Sequence, residues 1–78
     1  MKEIIIYTLP TCPWSKKLKE WLKKNKHNFE ERDLYESQNS LFRNEMLEKS
    51  GQFATPVIDI AGEIIVGFQE KEIEAALS

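Results

Sequence analysis

Ile4-Ile5-Ile6-Tyr7-Thr8-Leu9-Pro10-Thr11-Cys12-Pro13-Trp14-Ser15 is the stretch from which the fold can be read. Its first half is β-branched and aromatic, so residues 3–8 are expected as a strand. Three consecutive isoleucines indicate a strand covered on both faces, hence a central one. Leu9 to Pro13 contains two prolines and must turn. Pro13 suits the first helical position, where its missing N–H costs nothing. From Trp14 to about Lys26 the apolar residues Trp14, Leu18, Trp21 and Leu22 recur at helical spacing, with lysines on the opposite face. A strand and a helix therefore meet at a proline turn, with the cysteine at the joint.

Working outward, Phe29 to Leu34 reads as a second strand. Ser37 or Asn39 can cap a second helix running to about Lys49, with Leu41, Phe42, Met46 and Leu47 as its core-facing stripe and Ser50-Gly51 as its stop. Pro56 to Ile60 is a third strand, Ala61-Gly62 a tight turn, and Glu63 to Val66 a fourth strand. Gly67 ends the hairpin, and a short helix from about Glu70 to Leu77 turns Ile73, Ala76 and Leu77 inward. The order β-α-β-α-β-β-α predicts an α/β fold: a four-stranded mixed sheet with helices on both faces. Its first two strands should be parallel and its final hairpin antiparallel. Residues 1–78 are expected to form one domain.

Composition narrows the function. A formal net charge of −2 and a pI near 5.4 argue against a dedicated nucleic-acid binder. No apolar run approaches the roughly 20 residues of a membrane span. Lys2-Glu3 leads directly into the first strand without the apolar region of a secretory signal, so a cytoplasmic protein is expected. Lys16 to Lys26 holds six lysines and one acid, Glu20. That run is read as a solvated helix face, the other reading being a local positive field for anionic thiols or an acidic partner. The single cysteine cannot form an intramolecular disulfide, and with His27 the only histidine no multi-ligand zinc site can be assembled.

Cys12 is the informative position. It precedes a proline at the helix start, so it is the N-cap residue, and its sulfur is expected to accept hydrogen bonds from the N–H groups of Trp14 and Ser15. Those donors and the positive end of the helix dipole favour thiolate over thiol. Lys16 and Lys17 add a smaller, screened attraction. A thiolate is the nucleophile of disulfide exchange. Burial as an inert small hydrophobe is the other reading, for which a proline-flanked turn is a poor setting. Ser15 stands where a second thiol would complete Cys-x-x-Cys. It can hydrogen-bond the thiolate but cannot resolve a mixed disulfide. Either the protein is naturally monothiol or Ser15 replaces a resolving cysteine. His27 lies roughly 20 Å along the helix from Cys12, too far to act as its base.

At these residues the chain resembles the glutaredoxin family, in particular its short bacterial members. Tyr7-Thr8-Leu9-Pro10-Thr11-Cys12-Pro13-Trp14-Ser15 is similar to that family's active-site loop, whose common form is Cys-Pro-Tyr-Cys. Thr55-Pro56-Val57 resembles the stretch holding the cis-proline of the thioredoxin superfamily, and Gly67-Phe68 the glycine turn before the last helix. The resemblance covers the whole chain and implies a thioredoxin-like fold. It also implies that Cys12 is the nucleophile and glutathione the co-substrate, with no metal in the exchange. The Thr55 backbone, beside a cis Pro56, would pair with glutathione like an added strand. Gly67, Phe68 and Gln69 would offer N–H groups to its γ-glutamyl carboxylate. Thr11, beside the nucleophile, would also bind glutathione, and Trp14 would wall the groove.

Three departures weaken the implied glutathione site. Leu9 stands where many members have a lysine, Gln69 replaces the usual aspartate or serine-aspartate pair, and Phe53 stands where a basic residue often lies. Each lost charge-assisted contact is worth about 1.5–3 kcal/mol if desolvated. Gln52 and Lys16 can compensate in part. The implied activity is a monothiol glutathione-linked thiol–disulfide oxidoreductase, working as a monomer on glutathionylated or disulfide substrates. One alternative is a dithiol redoxin, with cysteine at position 15, reduced by thioredoxin reductase and serving ribonucleotide reductase. Some members use selenocysteine where Cys12 stands. Another alternative, of a different class, is a glutathione-dependent [2Fe–2S] carrier, although those proteins usually read Cys-Gly-Phe-Ser.

Overall fold

The structure, a computed structural model, describes residues 3–35 and 40–78 of the chain. The elements follow the expected order: β1 (Ile4–Thr8), α1 (Pro13–Lys24), β2 (Glu30–Asp33), α2 (Ser40–Ser50), β3 (Val57–Ile60), β4 (Glu63–Val66) and α3 (Glu70–Leu77). One sheet runs β2-β1-β3-β4, so β1 is central, as its isoleucines require. β1 pairs in parallel with β2 and antiparallel with β3, and β3 pairs antiparallel with β4.

Alternation along β1 divides the core. Ile4 and Ile6 face Leu18 and Leu22 of α1 and Ile73 of α3, whereas Ile5 and Tyr7 face Met46 of α2. Helices thus cover both faces of the sheet. Leu18 and Leu22 are fully buried, and each such burial is worth about 1.5–3 kcal/mol.

Several boundaries differ from expectation; β1 begins at Ile4, one residue later than expected. α1 ends at Lys24 rather than Lys26, because Lys26 takes a left-handed φ of 61°. The chain then folds back, and the His27 ring stacks on Trp21 at 6.0 Å between centroids. β2 is confined to Glu30–Asp33, while Phe29 and Leu34 flank it and pack into opposite cores. β3 begins at Val57, one residue after Pro56, which has no N–H to give to a ladder. The expected caps of α2, Ser37 and Asn39, lie outside the described residues; Gly51 stops that helix as expected, at φ 76° with its N–H on Leu47 O at 2.7 Å. At the hairpin, Ala61 and Gly62 both take positive φ (51° and 94°), the requirement of a primed two-residue turn.

The expected stripe of α2 is corrected. Met46 is buried and Phe42 partly so, but Leu41 is 72% and Leu47 38% exposed. At about 100° per residue, positions 42 and 46 share one face, while 41 and 47 fall well to either side of it.

A polar cluster that sequence reading did not anticipate ties α2 to the sheet. The buried Tyr7 hydroxyl donates to Glu45 and accepts from Lys49 Nζ at 2.8 Å and Arg32 Nη1 at 3.2 Å. Arg32 also pairs with Glu45, and Lys49 Nζ reaches Asp59 Oδ2 at 2.7 Å. The cluster therefore joins β1, β2, β3 and α2.

Candidate active site

Cys12 sits at the N-cap of α1 in extended backbone (φ −92°, ψ 113°), followed by Pro13 at the first helical position. Its N–H closes the preceding turn on Leu9 O at 3.0 Å. Its carbonyl accepts from Ser15 N at 3.1 Å and Lys16 N at 3.4 Å, so the proline turn delivers the side chain to the end of the helix axis. The residue is half-buried.

The sulfur makes a different hydrogen bond from the expected one. No capping bond from the sulfur to the helix amides forms; instead the thiol donates to Thr55 O at 3.6 Å. The helix amides act as nearby dipoles, because the Ser15 N–H is already directed at the Cys12 carbonyl. Ser15 is buried, and its hydroxyl has no hydrogen-bond partner among the described residues. Ionising Cys12 would remove the donation to Thr55 and create an acceptor beside that orphaned hydroxyl. Burial alone pushes the Cys12 thiol up. The Thr55 and Ser15 side chains and the Ser15 and Trp14 amides outweigh it, and the net pKa lies below the ordinary thiol value.

The sign of the pH effect follows. A lowered pKa keeps the sulfur ionised, and reactive, at pH values where a free thiol is protonated. Reactivity is lost only as pH falls through the lowered value. Iodoacetamide alkylation of Cys12 against pH should therefore inflect below the ordinary thiol pKa of about 8.5. An inflection at or above that value would remove the activated thiolate.

Around the sulfur, the Thr55–Pro56 peptide bond is cis, as the resemblance implied. Trp14 is 53% exposed, with Lys17 Nζ 4.6 Å from its ring centroid, so it stands free of the core at the mouth of the site. Thr11 is exposed beside Cys12. Behind Thr55, Leu9, Phe53 and Ala54 from the two loops meet Leu34, Arg43 and Met46 at a surface pocket of about 320 Å3. Sequence reading placed Leu9 and Phe53 near the site but missed Leu34, Arg43 and Met46. No local motif marks those three, since only the packing of α2 brings them there.

The three amides expected at the start of α3 are not all available. Gly67, at φ 86°, gives its N–H to Pro56 O at 2.7 Å, and Gln69 N donates to Gly67 O at 3.1 Å. Only the Phe68 N–H has no partner among the described residues. The first turn of α3 also carries Glu70 and Glu72, and Glu70 receives the Trp21 indole N–H at 2.8 Å. These carboxylates oppose the pull of the helix terminus on an anion.

The glutaredoxin family profile matches residues 4–65. A glutaredoxin-like 8.6 kDa protein encoded in the rubredoxin operon of Clostridium pasteurianum is 45% identical over 71 residues, covering 91% of this chain and 92% of that protein. Among solved structures, methanoredoxin of Methanosarcina acetivorans is 31% identical with a TM-score of 0.89, covering 97% of this chain and 84% of its own. The glutaredoxin of Methanosarcina mazei is 30% identical with a TM-score of 0.86, over 97% and 78%.

Proposed function

Starting from a chain that belongs to the glutaredoxin family, we propose a glutathione-linked thiol–disulfide oxidoreductase that works through the single nucleophile Cys12. The observation that carries this reading is the half-buried sulfur at the head of α1, its pKa lowered by the groups around it. The Cys12 thiolate attacks the glutathionyl sulfur of a mixed disulfide. That S–S bond breaks, the substrate leaves as a thiolate with the bonding pair, and Cys12 becomes glutathionylated. A second glutathione thiolate attacks the glutathionyl sulfur of that adduct, releasing oxidised glutathione and the Cys12 thiolate. The net reaction consumes one free glutathione, which leaves with the substrate's glutathionyl group as oxidised glutathione. The Ser15 hydroxyl would donate to Cys12 each time it leaves as thiolate.

Glutathione would lie along the Thr55–Pro56 backbone, with Trp14 as a wall and Thr11 at the rim. The Phe68 N–H would meet the γ-glutamyl carboxylate, with Gly67 and Gln69 shaping that turn. Leu9, Phe53 and Gln69 bring no charge to the tripeptide, so binding is held mainly by backbone pairing. Among the described residues no helix is long and apolar enough to cross a membrane. We place the protein in the reducing cytoplasm, acting as a monomer on glutathionylated and disulfide substrates without metal or nucleic acid.

Intact mass after incubation with oxidised glutathione tests the proposal. One glutathione should be gained, and none once Cys12 has been alkylated. No adduct, or an adduct that survives alkylation of Cys12, rejects it. The uncharged Leu9, Phe53 and Gln69, with Glu70 and Glu72 following Gln69 on α3, favour one second reading: a redoxin that takes electrons from thioredoxin reductase and serves ribonucleotide reductase. That route needs a second thiol where this chain has Ser15.

A further inference from the structure

Thr55 serves two places at once. Its carbonyl receives the Cys12 thiol, and it also lines the pocket of about 320 Å3 on the α2 side of the sheet. Leu9, Leu34, Met46, Phe53 and Ala54 make that pocket apolar. Phe53 leaves 64% of its surface exposed at that pocket. Arg43 is the one charged residue of the lining. Its Nη2 donates to Leu34 O at 3.1 Å, and among the described residues it has no carboxylate partner. The volume is at the lower end for a ligand pocket, enough for one branched aliphatic side chain and the backbone bearing it. Glutathione offers nothing of that kind, since its residues are γ-glutamate, cysteine and glycine.

We propose that the pocket selects polypeptide disulfides: it seats a bulky aliphatic side chain one or two residues from the substrate's cysteine, with an acidic group beyond it at Arg43. The occupant is an extended, acidic segment whose cysteine lies over Cys12 and whose neighbouring side chain drops beside Thr55. This goes beyond glutathionylated substrates and rests on Cys12 being the nucleophile. The Cys12 thiolate attacks the sulfur of the seated cysteine, the original S–S bond breaks, and the second substrate thiol leaves as thiolate. A glutathione thiolate then attacks the Cys12 sulfur, releasing the reduced segment and leaving glutathionylated Cys12. A second glutathione closes the cycle as above.

The test uses short peptides with one cysteine held as its mixed disulfide with nitrothiobenzoate, whose release is coloured. The cysteine is flanked by leucine and then glutamate, by glycine and then glutamate, or by leucine and then lysine. With the unaltered protein, the leucine–glutamate peptide should react at least about tenfold faster than the glycine peptide, and about threefold faster than the leucine–lysine one. Phe53→Ala, at an exposed position, should shrink the leucine-to-glycine ratio, and Arg43→Ala the glutamate-to-lysine ratio. Circular dichroism establishes that both variants are folded. Equal rates for leucine and glycine, or ratios unmoved by Phe53→Ala, overturn the pocket proposal while leaving Cys12 as nucleophile, because the glycine peptide still reacts. Release from none of the peptides overturns both.

Discussion

With serine in place of Cys12, glutathione-coupled disulfide reduction should fall by on the order of 10³-fold or more. The loss is chemical. An alcohol in this setting stays protonated at neutral pH, and the amides and hydroxyls that lower the pKa of the thiol cannot bring a hydroxyl into the same range. The fold should persist, because Cys12 holds the turn through its backbone: its N–H on Leu9 O and its carbonyl under the amides of Ser15 and Lys16. The side chain contributes one long contact, to Thr55 O. Thermal unfolding should therefore shift by no more than about 1 kcal/mol while turnover disappears. Undiminished turnover in the folded variant would place the redox centre elsewhere, and this chain has no second cysteine to receive it.

Ser15→Cys should change the mechanism rather than stop it. Position 15 is buried, one turn beyond Cys12, and helical residues three apart bring their Cβ atoms to about 5–6 Å. Small shifts of the first turn bring such a pair within disulfide range. The replaced hydroxyl has no partner among the described residues, and a buried unsatisfied polar group costs about 1–3 kcal/mol, so the less polar sulfur should not destabilise the site. After oxidation the variant should lose two hydrogens in intact mass. With oxidised glutathione, its adduct should fall from one per chain to nearly none, because the neighbouring thiol displaces glutathione intramolecularly. An adduct that accumulates as in the unaltered protein would show that the two sulfurs cannot meet. The variant also decides whether thioredoxin reductase can drive the chain, since an internal disulfide is the species such a reductase would meet.

The fold was legible wherever the signal was local. Three isoleucines placed β1 inside the sheet, the two prolines located the turn and the head of α1, and Ala61-Gly62 supplied the positive φ values of a tight hairpin. Cys12 was legible for the same reason, since strand, turn and helix are adjacent in sequence. Features that depend on distant elements were not. Leu41 and Leu47 read as core because they are apolar, yet the sheet has room for only one face of α2. The Gly67 amide read as free, but Pro56, across the β3–β4 hairpin, takes it. Tyr7 read as another strand residue, while its three charged partners come from β2 and α2. The Arg43 pocket has no signature at all until α2 is laid over the sheet.

β2 occupies one margin of the sheet, and its whole length is Glu30-Glu31-Arg32-Asp33. A strand in that place leaves half of its backbone donors and acceptors unpaired, which invites another polypeptide to zip alongside. Here any newcomer would have to strip water from a row of ionised groups, two of them anchored inward: Glu31 to Thr8 and Lys19, Arg32 to Glu45. Crowded copies of this small protein thus meet a charged border where a bare β edge would have nucleated fibrils.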